Sequence, residues 1–277
     1  MSKISCLSVI ILLLCAFCCQ QVLCLRLSNV GNYEIRAPVQ VYKQKLDEAV
    51  SKLGGNKSWR WKGKNINYIS TVQGKLPNNK SPLLLIHGAV APSFHWRNNI
   101  PALAEKYNIY AIDLLGLGHS DKPLADEYDY GIDLWTEQVL DFIQEVIRPT
   151  SKPLADGQPR PCVVAGTCLG GSVALAAAAS QISNDKDLIS GCVLLNAQCK
   201  FLHDCIERPR PPRVRGDACK THDMLGYLKG MFVLAKPHQL WSRLREVFYA
   251  QTPALADDNL VESIREQMEH PESETVW

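Results

Sequence analysis

The chain has 277 residues, with 30 Lys+Arg against 28 Asp+Glu and a formal net charge of +2. That near-neutral balance excludes the basic surface of a nucleic-acid binder and any long charged tail. With 46% hydrophobic and 21% charged residues the composition is globular, not disordered, and the length admits one large domain or two small ones.

Residues 1–24 read as a targeting segment. Lys3 is the only charge before Arg26, and residues 4–19 (ISCLSVIILLLCAFCC) carry none. A short basic start and an apolar stretch fit a secretory signal peptide, and Val22 and Cys24 are small enough to flank a cleavage site. Secretion or a lumenal location follows from this. An uncleaved signal anchor is the alternative, and the membrane is expected to be reached only through this segment. Residues 25–57 are polar and weakly patterned and read as a leader or linker, with a short helix over 46–53 broken by Gly54-Gly55-Asn56. In a plant or alga this stretch could continue a plastid presequence, although Glu34, Asp47 and Glu48 are unusual in one.

A regular pattern fills residues 58–200. Trp59-Arg60-Trp61 and Ile66-Asn67-Tyr68-Ile69 alternate on either side of a glycine turn and predict a hairpin. Pro82-Leu83-Leu84-Leu85-Ile86 is continuously apolar, as in a strand buried on both faces of a parallel sheet. Residues 96–107 are expected to be helical, with Ile100, Leu103 and Tyr107 on one face. Residues 109–112 predict a second buried strand, ending in Asp113-x-x-Gly116-x-Gly118-x-Ser120. An amphipathic helix over 132–147, a strand over 162–165, an alanine-rich helix over 169–182 and a strand over 192–195 complete the alternation. Strand and helix in turn specify an α/β fold, a doubly wound and mostly parallel sheet.

Residues 201–277 lose that alternation. Arg208-Pro209-Arg210-Pro211-Pro212-Arg213 reads as a solvated loop, since prolines prevent regular structure there. Residues 222–249 and 257–269 read as helices, and Trp241, Leu244 and Phe248 share a core-facing stripe. Of 11 cysteines, Cys6, Cys15, Cys18, Cys19 and Cys24 lie in the targeting segment. Cys162 and Cys192 fall in buried strands and are expected to be reduced. Cys199, Cys205 and Cys219 are the disulfide candidates. No spacing reads as a zinc site, and no motif calls for a metal or an organic cofactor.

The chemistry concentrates at Gly166-Thr167-Cys168-Leu169-Gly170, a G-x-C-x-G between a buried strand and a helix. The same arrangement with serine is the nucleophile elbow. The turn is so tight that Gly166 and Gly170 must lack side chains, and it projects Cys168 from the carboxyl edge of the sheet. The following helix offers free N–H groups and a positive dipole end, which favour a thiolate and would stabilise an oxyanion. The backbone N–H groups of Ala89 and Leu169 are the expected oxyanion donors. The alternative reading of Cys168 is an inert buried thiol.

Trp59-x-Trp61-x-Gly63, Leu84-Leu85-Ile86-His87-Gly88, His95-Trp96-Arg97-Asn98-Asn99-Ile100 and Tyr110-Ala111-Ile112-Asp113 through Pro123 together give the segment a family likeness. It resembles an α/β-hydrolase of the pheophytinase-like group, which is also similar to epoxide hydrolases and haloperoxidases. The resemblance implies ester hydrolysis by Ser, His and Asp beneath a helical cap, and residues 259–264 resemble part of that cap. Cysteine replaces serine at position 168. The absence of an aspartate there lowers the expectation of epoxide hydrolase or dehalogenase chemistry. Beyond Asn196 no strand leads to an acid or a histidine. Asp257 and Asp258 read as helix caps, and His203, His222, His238 and His270 as surface or cap residues. The fold is therefore expected to be C-terminally incomplete, with only a partial cap over 201–277 and its histidine and acid beyond Trp277. The expected function is hydrolysis of a small hydrophobic ester through Cys168, without nucleic acid or metal. The alternative is a catalytically inactive, hydrolase-like binding protein or a truncated gene product.

Overall fold

The computed structural model describes residues 48, 50–72, 79–89, 91–124, 127–183, 187–197 and 258–269. The expectations for the targeting segment, the Pro/Arg-rich loop, the helix over 222–249, the disulfide candidates and His203, His222, His238 and His270 lie outside them.

The hairpin forms as expected. Strands β1 (Asn56–Trp61) and β2 (Lys64–Ser70) pair antiparallel with Trp61 opposite Lys64. Lys62 and Gly63 both take positive φ, 47° and 80°, which a two-residue turn needs to match the twist of its strands. Strands β3 (Ser81–Ile86), β4 (Tyr107–Ile112), β5 (Cys162–Thr167) and β6 (Ile189–Leu195) run parallel to one another. The strand order is β1-β2-β4-β3-β5-β6, so β3 and β5 lie side by side at the centre.

Both faces of this sheet are covered, which explains the unbroken apolar runs. Leu84, Ile86, Tyr110, Ile112, Cys162 and Val164 pack on one face against helices α2 (Ile132–Phe142) and α3 (Leu169–Ser183). Leu83, Leu85, Ile109, Ala111 and Ala165 point the other way, onto Phe94, Trp96 and Ile100. Val50 and Leu53 are buried in this second cluster, so the packed fold reaches back into the stretch expected to be a linker. The indoles of Trp59 and Trp61 donate to Glu145 (3.0 Å) and Asp141 (2.8 Å), anchoring the hairpin to the helical segment that runs from α2.

One expectation needs correction. Residues 96–107 do not form a single helix. A 3-10 helix (Ser93–Asn98) is followed by a short α1 (Ile100–Ala104), and Tyr107 already belongs to β4. Pro101 has no N–H to continue the first helix, so the chain restarts there with proline in the opening turn, where that N–H is not needed. Helix α4 (Asp258–Glu269) forms where a helix was expected and packs against the 3-10 helix.

Candidate active site

The carboxyl ends of β3, β4 and β5 converge on one edge of the sheet, where crevices in open α/β sheets form. Cys168 sits in the turn from β5 to α3 with φ 52°, a conformation costly for a residue with a side chain. Two close backbone approaches impose that turn. A Cβ on Gly166 would strike the carbonyl of Gly170, and a Cβ on Gly170 would strike the carbonyls of Ile86 and His87 at the end of β3. Helix α3 therefore starts hard against two strand ends, and both elbow glycines are required by contact. Gly171, not singled out from the sequence, is confined in the same way by Ala197.

The backbone N–H groups of Leu169 and Ala89 both act on the Cys168 thiol in the direction that favours its thiolate. The structure thus brings together Cys168, Ala89, Leu169, Gly166 and Gly170. It corrects the expectation of a depressed thiol pKa. Burial pushes the Cys168 thiol up, and the two N–H groups only partly offset this. Among the described residues no charged group acts on it. Cys162 and Cys192 are free and buried, and burial pushes Cys192 up to about 11, so neither is reactive at neutral pH.

Beside the elbow lies a buried polar cluster centred on Asp113. Its carboxylate accepts from the backbone N–H of Ser93 (2.6 Å), the backbone N–H of His119 (2.9 Å) and the side-chain amide of Asn67 (2.8 Å). The Gly116-x-Gly118-x-Ser120 motif wraps the chain around this group. A Cβ on Gly118 would collide with the Asp113 carboxylate, and Ser120 donates to the Asp113 carbonyl at 2.8 Å. The neighbouring His87 is neutral. Its Nδ1–H donates to the Gly88 carbonyl at 2.5 Å, its Nε2 accepts the Leu114 N–H at 3.1 Å, and burial lowers its pKa. The 3.8 Å separation of His87 Nε2 from Asp113 is therefore not an ion pair.

His119 is the charged partner. Its Nδ1 lies 3.6 Å from Asp113, and its Nε2 lies 3.3 Å from Glu266 on α4. The two carboxylates, Asp113 first, raise its pKa to about 9. Burial alone would push the Asp113 carboxyl up, but the hydrogen bonds and charge of His119 hold it well below the usual range. The Asp113 motif was visible in the sequence. The part played by Glu266 was not, because 147 residues separate it from His119.

A consequence for stability follows. A histidine whose folded pKa is near 9 stabilises fully below its unfolded value of about 6.5 and loses that contribution as pH rises to about 9. The ring is 36% exposed, so solvent screening limits the effect to about 1 kcal/mol at most. Urea midpoints are expected to fall between pH 6 and pH 9.5 in the native protein, and His119→Gln is expected to flatten that slope.

Among the described residues no group of three His, Cys, Asp or Glu could hold a metal ion, and no helix is long and apolar enough to cross a membrane.

A family model described as the alpha/beta hydrolase family matches residues 83–273. Chloroplastic pheophytinase from Arabidopsis thaliana is 32% identical over 143 residues, 42% of this chain and 26% of that protein. The pimeloyl-[acyl-carrier protein] methyl ester esterase of Aeromonas hydrophila is 32% identical over 122 residues, 44% of this chain and 40% of that one. The chain thus spans less than half the length of either relative. The solved epoxide hydrolase CorEH superposes with a TM-score of 0.52 at 19% identity, covering 80% of this chain and 70% of its own, a likeness of fold.

Proposed function

From the premise that the chain belongs to the alpha/beta hydrolase family, we propose that it hydrolyses a carboxylic ester through a covalent intermediate on Cys168. The observation that carries this reading is the convergence of the Leu169 and Ala89 N–H groups on a thiol at the strained strand-to-helix turn. An ester, not an epoxide, fits a sulfur nucleophile with two N–H donors placed for a carbonyl oxygen. A small hydrophobic acyl or alkyl group is the expected substrate class, in keeping with the esterase among the relatives.

The steps balance as follows. A general base takes the thiol proton, and sulfur bonds to the carbonyl carbon. The carbonyl π pair moves to oxygen, and the Leu169 and Ala89 N–H groups hold that oxyanion. Its collapse breaks the bond to the alkoxide, which leaves with the proton as an alcohol. Water then attacks the thioester, releasing the acid and restoring the thiol. The base and its acid partner come from outside the described residues. The N-terminal segment, also outside them, directs the protein into the secretory pathway on this reading.

Incubation with a short-chain aryl ester, acid quench and peptide mass spectrometry should find an acyl group on the Cys168 peptide and none in Cys168→Ala. Equal turnover by the alanine variant would remove Cys168 from the mechanism. A second reading is a hydrolase-like binding protein without turnover, since among the described residues no general base is placed against Cys168. A folded protein that forms no adduct and hydrolyses no ester would overturn the ester-hydrolase reading.

A further inference from the structure

Gly88, Gly166, Gly170 and Gly171 border the turn that carries Cys168, but the atoms that would meet a side chain on each differ in kind. On Gly166 and Gly170 a Cβ would strike main-chain carbonyls, and on Gly171 it would strike Ala197. The packing of α3 against the strand ends requires those glycines. Gly88, just beyond β3, is different. Its φ lies outside the left-handed region, so its backbone conformation suits any residue. The atoms nearest to where its Cβ would be are Cys168 Cβ at 3.2 Å, the Thr167 carbonyl oxygen at 3.5 Å and Cys168 Sγ at 3.9 Å. A side chain at position 88 would thus press on the Cys168 side chain, with no main chain in the way. His87 fixes this wall. The Nδ1–H of its fully buried ring donates to the Gly88 carbonyl at 2.5 Å, and its Nε2 accepts the Leu114 N–H at 3.1 Å. The end of β3 is thereby tied to the turn after β4, and β3 itself is paired on both sides, so the wall beside the sulfur cannot retreat far.

We propose that Gly88 is a specificity-determining residue: its bare Cα leaves open the flank of Cys168 Sγ by which the carbonyl carbon of an ester reaches the sulfur and on which the acyl group then rests. A methyl there would touch Sγ, and a carbon bonded to sulfur on that side would overlap it. The opening is narrow, bounded by Cys168 Cβ and the Thr167 carbonyl. It therefore favours acyl groups that are unbranched beside the carbonyl over branched ones. The acyl preference rests on the ester-hydrolase reading. Access to the sulfur does not, because an alkylating reagent meets the same flank.

Gly88→Ala adds the methyl alone. The full-length protein and the variant are alkylated separately with iodoacetamide and with the bulkier N-ethylmaleimide, and Cys168 is followed by peptide mass spectrometry. Both reagents take the same thiolate, so the ratio of N-ethylmaleimide to iodoacetamide rates does not depend on the thiol pKa. In Gly88→Ala the iodoacetamide rate should fall about tenfold, and the ratio should fall by about another tenfold. The kcat/KM for an aryl 2,2-dimethylpropanoate should likewise fall about tenfold more than that for the aryl acetate. Tm should drop by roughly 2–8 °C as Cys168 Cβ gives way. Cys168→Gly removes that atom, and the nearest remaining neighbour of the methyl is the Thr167 carbonyl oxygen at 3.5 Å, an ordinary contact. Adding Gly88→Ala to Cys168→Gly should therefore leave Tm unchanged. A Gly88→Ala protein that does not fold, a Tm loss that persists in the double variant, or an unchanged rate ratio would overturn the proposal. A lowered ratio in a protein that hydrolyses no ester would uphold Gly88 as the control on access to Cys168 and refute the hydrolase reading.

Discussion

Gly170→Ala is expected to destabilise the fold by about 3 kcal/mol or more, and to lower Tm by roughly 10 °C. The added methyl would land on the carbonyl oxygens of Ile86 and His87, which are backbone atoms at the end of a central strand. A flexible side chain could rotate away, but a strand hydrogen-bonded on both sides cannot, because β3 is paired with β4 and β5. Relief would require α3 to lift from the sheet, opening the buried contacts of Leu169, Val173 and Ala177. The same movement would draw the Leu169 N–H and Cys168 away from Ala89, so Cys168 alkylation should speed up as stability falls. Calorimetry and alkylation rates together check this. A variant with native Tm would show that the helix start has room that the contacts deny. Gly166→Ala should behave alike, since its methyl would meet the Gly170 carbonyl.

Asp113→Ala is expected to cost about 3–5 kcal/mol, the range for removing one side of a buried charged network. Three donors would lose their acceptor: the Ser93 N–H, the His119 N–H and the Asn67 amide. The Asp113 carboxyl and Ser93 are buried, and each buried donor left unsatisfied costs about 1–3 kcal/mol. Among the described residues His119 would keep Glu266 alone as a carboxylate partner, so its pKa should drop from about 9 toward the ordinary imidazole range. Denaturant midpoints and the His119 titration followed by NMR test both parts. Because Asp113 stays ionised well below its ordinary range, the contribution it makes persists above about pH 4 and is lost only in strong acid.

Much of this molecule was legible in the linear chain. Pro82 through Ile86 and the runs at 109–112 and 162–165 are apolar without alternation, which only a strand covered on both faces tolerates, and each became a central strand. The turn Lys62-Gly63 closed the hairpin where alternation had placed it. Gly-x-Cys-x-Gly named the elbow because its glycines answer to a local steric demand, and local demands leave their mark within a few residues.

What escaped the sequence depends on contacts between distant segments or on burial. The helix expected over 96–107 broke because Pro101 removes one backbone donor, a local effect that helical spacing of Ile100, Leu103 and Tyr107 concealed. The Cys168 thiol was expected to be acidified by a helix start. The fold instead surrounds it with low-dielectric protein, and desolvation outweighs two N–H groups. Glu266 had no signature at all, since a single acid on an amphipathic helix reads as solvated surface until α4 is packed beside His119. The sequence by itself determined the sheet, the elbow and the residues at its tip, because periodicity and steric need are written locally. Only the tertiary structure decided which charges meet, how Asp113 gathers Ser93, Asn67 and His119, and which way the thiol titrates, because those depend on distance and dielectric in three dimensions.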